Sequence, residues 1–120
     1  MHEETQLTVR RFVRAMDSAE ASIVGLMARE REALRSGNRN IAKEIHARLG
    51  KAAKLYLGTI CDARNTLAAM NDLFSDSEIS EFLEQRRLTF ASLLRIEMAA
   101  LTAARLLAND RSSASVSQVA

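Results

Sequence analysis

An apolar stripe that runs without a break through residues 41–74 constrains this chain more than any other feature. Counting 100° per residue, Ile41, Ile45, Leu49, Ala52, Tyr56, Ile60, Ala63, Leu67, Met70 and Phe74 share one arc of roughly 100°. The mean repeat of about 3.67 residues keeps such a stripe straight on a nearly ideal helix and does not force a left-handed supercoil. It predicts one continuous helix from about Asn40 to Phe74, with Gly50 and Gly58 as interior glycines that each cost about 1 kcal/mol against Ala. Composition points the same way. The 120 residues contain no Pro, four Gly, 4% aromatics and 20 alanines, and Ala, Leu, Arg, Met and Glu lose least on entering a helix. The expected fold class is all-α.

Two further helices follow from the flanking patterns. Val9, Phe12, Val13, Met16, Ala19, Ile23, Met27 and Leu34 mark a first helix, with Glu20 and Glu30 intruding on its apolar side. In "LRSGNRNI", Gly37 can take the left-handed conformation that closes one helix, and Asn38 or Asn40 can cap the next. So short a connection makes an antiparallel hairpin. In "LFSDSEI", Ser75 and Glu78 form a capping box, with Phe74 and Ile79 spaced for the hydrophobic staple. A third, amphipathic helix starts there and carries Ile79, Phe82, Leu83, Phe90, Leu93, Leu94, Leu101, Ala104 and Leu107 on one side, ending near Ala108. Beyond it, "NDRSSASVSQVA" is Ser-rich and aperiodic, a composition that buries too little to offset chain entropy. The expected organisation is a single helical domain over 1–108 and a flexible, disordered tail over 109–120.

Charge and cysteine usage exclude several function classes. The 27% of charged residues nearly cancel to +2, with basic side chains scattered among acidic ones, which gives no track for a nucleic-acid backbone. Cys61 is the only cysteine, so no internal disulfide is available, and two histidines without a second thiol offer no metal site. No cofactor is implied. The N-terminus lacks the basic-then-apolar order of a secretion signal, and no run approaches the ~18 apolar residues of a membrane span. A soluble, cytoplasmic protein is expected.

His46 is the one residue that raises a question of chemistry. In "EIHARLGKAAKLY" the spacing of Gly50, Ala52 and Leu55 behind it resembles the phosphoacceptor motif of histidine phosphotransfer domains, over about ten residues. An exposed imidazole on a helix would take phosphate from an aspartyl phosphate, and a glycine one turn on would let the donor approach. Against this, Arg48 and Leu49 invert the leucine-then-lysine order of that family, and the helix runs on to Phe74. His46 also sits about 40° past the stripe edge, where a boundary histidine is ordinary. His46 is therefore read as a packing-edge residue, with the phosphoacceptor role as the alternative. Cys61 lies about 100° off the stripe edge without an activating base. The expectation is a binding protein and not an enzyme.

The third helix shows where binding would occur. Beside its main stripe it carries Leu88 and Leu106 on the opposite side, with Ile96 and Met98 between, so it is apolar nearly all round from Leu88 to Leu107. Two neighbouring helices cannot cover such a circumference, and uncovered apolar surface on a soluble chain marks a partner site. Leu88, Phe90, Leu94, Ile96, Met98, Leu101 and Leu106 are the candidate partner-binding residues. A weak homodimer, in a generic dimeric helical scaffold, is the competing use of that surface.

The stretch "GLMAREREALRSGNRNIAKEIHARLGKAAKLYLGTICDARN" resembles the first two helices of the FlgN family of flagellar export chaperones. It has a helix with E-x-x-A-L, a Gly-Asn turn and a long helix with a mid-helix lysine, carried here by Glu30, Ala33, Leu34, Gly37, Asn38 and Lys51. "RRLTFASLLRIEMAALTAARLLA" is similar to that family's final helix, so the resemblance spans most of residues 24–108. It implies a small cytoplasmic chaperone of flagellar type III secretion. Such a chaperone holds C-terminal helical segments of hook-filament junction proteins and delivers them to an export-gate component.

Overall fold

The computed structural model describes the backbone of residues 2–70 and 74–119 and the side chains of residues 3, 4, 6–70 and 74–110. It consists of α1 (His2–Arg35), α2 (Arg39–Ala69) and α3 (Asp76–Val119), with no strand among the described residues. The helices run up, down and up along a rod of 70 × 20 × 16 Å. At about 1.5 Å per residue, α3 alone accounts for nearly all of that length.

The α1–α2 turn closes as its sequence predicts. Gly37 has φ 74°, and the Asn38 and Gly37 N–H groups return to the Ala33 and Leu34 carbonyls at 2.8 and 3.2 Å, a Schellman closure. Asn38 then caps α2 by accepting the Ile41 N–H at 3.2 Å. α2 passes through Gly50 and Gly58 without interruption. It ends at Ala69, short of the expected Phe74, where the Met70 N–H tightens onto the Leu67 carbonyl at 3.1 Å. The periodicity continues to Phe74 for a different reason. Phe74 packs with the cluster containing Ile79, so it belongs to the staple of the next helix. The Glu78 N–H donates to Ser75 Oγ at 3.1 Å, and the Ser75 hydroxyl donates back to the Glu78 carboxylate at 3.1 Å. The backbone of α3 extends to Val119, while the side chains of residues 111–120, most of the segment expected as a tail, lie outside the described residues.

Three clusters form the core along the rod. Met16, Ala63, Leu67, Ile79 and Leu83 fill the end near the α2–α3 connection. Ala19, Ile23, Met27, Tyr56, Phe90 and Leu101 fill the middle, and Ala33, Ala42 and Ile45 the hairpin tip. α3 supplies no buried residue to the last cluster. α1 is the shared wall of the bundle, and α2 and α3 have the smallest interface of the three pairs. One expected stripe is corrected here: Leu93 and Leu107 are 47% and 58% exposed. The buried line of α3 runs through Ile79, Leu83, Phe90 and Leu101, and Leu93 and Leu107 are rotated about 70–120° away from it.

Candidate functional site

Two polar junctions, each built on one glutamate of α1, hold the three helices in register. At the first, Glu20 accepts the Tyr56 hydroxyl at 3.2 Å and the Arg86 guanidinium at 3.2 Å, while Arg86 also pairs with Asp17. Residues of α1, α2 and α3 thus meet around one carboxylate, and the Tyr56 ring packs on Phe90 with centroids 4.9 Å apart. Burial, with the charge and hydrogen bond of Glu20 added and Arg86 partly opposing, pushes the Tyr56 hydroxyl up to about 12. Because the folded value is raised, the stability tied to the neutral phenol is complete below the ordinary value of 10.0 and is lost as pH rises through about 12. Tyr56 is the only tyrosine and there is no Trp, so its phenolate absorbance can be followed alone. Native protein is expected to ionise it close to pH 12, and denatured protein near 10. Ionisation of the native protein near 10 would contradict this junction.

The second junction surrounds Glu30, which is 2% exposed. Arg105 of α3 donates to both carboxylate oxygens, Nε at 2.7 Å and Nη2 at 3.1 Å. His46 of α2 places Nδ1 3.3 Å from Glu30 Oε1 and 3.0 Å from Arg105 Nη2. With Nδ1 bare the imidazole accepts the Arg105 N–H there, whereas with hydrogen on Nδ1 it donates to Glu30 and gives up that arginine contact. Burial raises the Glu30 pKa, but the hydrogen bonds and charge of Arg105, then those of His46, outweigh it and hold the carboxyl below its usual range. No buried side-chain nitrogen or oxygen among the described residues lacks a partner. The junction opens on a groove of about 270 Å³ that also touches Leu34, Arg39, Lys43 and Ala108. Glu30 breaking the apolar stripe of α1 was the sequence signal for this junction. Arg105, which completes it, carried no signal of its own.

The seven candidate partner-binding residues do not share one face. Phe90 and Leu101 are 4% and 0% exposed and belong to the middle core cluster, which corrects their assignment as contact residues. Leu94 is half-buried against the same cluster. Leu88, Ile96, Met98 and Leu106 are exposed, at 47%, 71%, 41% and 64%. At 100° per residue, Met98 leans toward α2, while Leu88, Leu106 and Ile96 all point outward, Ile96 on the flank nearer α1. Sequence reasoning missed Leu57, 61% exposed on α2. It lies about 20° from the His46 direction, on the flank of α2 that turns toward α3.

His46 itself is open, with a side chain 64% exposed, and its Nδ1 is engaged within the Glu30 junction. Cys61 is exposed and free. The described residues contain no group of three metal-ligating side chains, and no helix long and apolar enough to cross a membrane.

The fold and its junctions define a three-helix all-α protein with unequal interfaces. The chain matches no protein-family model, no curated protein and no solved structure.

Proposed function

We propose that this chain is a carrier that binds a helical segment of a partner protein across the exposed apolar side chains that α2 and α3 present side by side. The observation that carries the reading is the exposure of Leu57, Met98 and Leu106, at 61%, 41% and 64%, along the two helices that pack least against each other. An amphipathic helix laid over Ala53, Leu57 and Met98, with Leu88 and Leu106 at its edge, would cover apolar surface that a lone bundle leaves in water. The resemblance to the FlgN family supplies the identity of the partner in this proposal. The segment is the C-terminal helix of a hook-filament junction protein, bound in the cytoplasm and handed to the export gate.

Titration calorimetry with that purified segment is the test. Wild type is expected to bind it. A Met98→Asp, Leu106→Asp double variant, verified as folded by circular dichroism, is expected to lose about 1–3 kcal/mol at each hot spot it removes, roughly fivefold to a hundredfold in affinity. Equal binding by the variant would move the site, and no binding by wild type would overturn the partner.

The exposure of His46 favours one second reading, that of a phosphoacceptor. Incubation with a phosphorylated receiver domain decides it. The carrier reading expects no label, whereas acid-labile label absent from His46→Gln would establish phosphotransfer.

A further inference from the structure

The outward flank of α3 on the α1 side, away from the proposed carrier surface, carries its own apolar seam. Thr89, Leu93, Ile96, Ala100, Ala103 and Leu107 follow one another at intervals of four, three, four, three and four residues, the spacing of a coiled-coil contact line. Leu93, Ile96 and Leu107 are 47%, 71% and 58% exposed. Ala100, Ala103 and Leu107 line a groove of about 260 Å³ whose other wall is Arg31, Leu34 and Arg35 of α1.

From this seam we infer that α3 packs against α3 of a second copy of the chain, antiparallel, about a two-fold axis at the level of Met98. The order of side-chain sizes selects both occupant and direction. In the antiparallel register Leu93 meets Ala103 of the partner subunit, Ile96 meets Ala100 of the partner subunit, and Leu107 meets Thr89 of the partner subunit. Every layer then combines one large and one smaller side chain, the alternation that fills an interhelical space. In a parallel register Leu93 and Ile96 would face their own copies while Ala100 and Ala103 faced theirs, so the helices would be wedged apart at one end and under-packed at the other.

Charge agrees with the same axis. Arg31 and Glu97 pair at 3.4 Å beside the seam, one residue from the axis level, with side chains 35% and 22% exposed. The two-fold brings each Arg31 toward Glu97 of the partner subunit, and four charges alternate in sign around the axis. The seam spans about two and a half heptads, roughly 27 Å of helix, and gives a small, reversible dimer interface.

The test uses the full chain. Sedimentation velocity across a concentration series is expected to show monomer–dimer exchange, shifted at least tenfold toward monomer by Ile96→Asp. Direction is read from disulfide trapping in a Cys61→Ser background. Leu93→Cys mixed with Ala103→Cys is expected to give the mixed cross-link and little of either homodimer. A wild type that stays monomeric at high concentration, or a dominant Leu93→Cys homodimer, would overturn the inference. The carrier reading can fail without affecting this result, because its variants Met98→Asp and Leu106→Asp lie off the seam.

Discussion

Replacing Arg105 with alanine is expected to destabilise the folded chain by about 3–5 kcal/mol, because it strands the Glu30 carboxylate inside the bundle. Glu30 has a side chain 3% exposed and takes two of its hydrogen bonds from Arg105. His46 is the remaining partner, and its contact is longer, at 3.3 Å. Domains of this size hold about 5–15 kcal/mol in total, so the variant should unfold at much lower urea concentration. Glu30→Gln removes the charge as well as the pairing and should cost less. Its penalty should also depend on pH. The folded pKa of Glu30 is depressed, so its contribution is present at neutral pH and lost as pH falls through the carboxylate range. The stability difference between wild type and Glu30→Gln is therefore expected to shrink on acidification. Urea titrations at several pH values check both statements, and a difference that grows toward acid would contradict the assigned sign.

Leu101→Ala is expected to cost about 3 kcal/mol and to lower the melting temperature by roughly 12 °C. Leu101 is 0% exposed and sits in the cluster with Met27, Tyr56 and Phe90, so truncation leaves a cavity that three long helices cannot close independently. Ile96→Ala, at a residue 71% exposed in the monomer, should change stability by less than about 0.5 kcal/mol when melted at a concentration where the chain is monomeric. Paired thermal melts separate the two. A large loss at Ile96 with a small one at Leu101 would reverse the orientation of α3.

The same two residues show how far the sequence reached. The 3.6-residue period located three helices, Gly37 and Asn38 their first turn, and Ser75 with Glu78 the start of α3, because each of these is decided within a few neighbouring residues. α3 was harder to orient. Where a helix is apolar nearly all round, periodicity no longer distinguishes the buried line from a parallel one. The pattern alone puts Leu93 and Leu107 inward and leaves Leu101 both on that stripe and among the contacts, and only packing against α1 resolves them. The junctions were half legible. A glutamate on an apolar stripe announces that something must compensate it, but Arg105 lies 75 residues from Glu30, and nothing local links the two. The small interface between α2 and α3 is not legible in the sequence, because it depends on how closely those helices approach and not on what either contains.

A partner helix bound across the exposed apolar side chains of α2 and α3 should leave the core undisturbed. Methionine methyl resonances test this, because Met98 is 41% exposed on the proposed binding surface while Met16 and Met27 are 0% and 1% exposed in the core. With methyl-labelled protein and the C-terminal segment of a hook-filament junction protein, the Met98 signal is expected to shift saturably while those of Met16 and Met27 hold their positions. Saturable shifts at Met16 and Met27 with Met98 unmoved, or no shift at any methyl, would contradict the account.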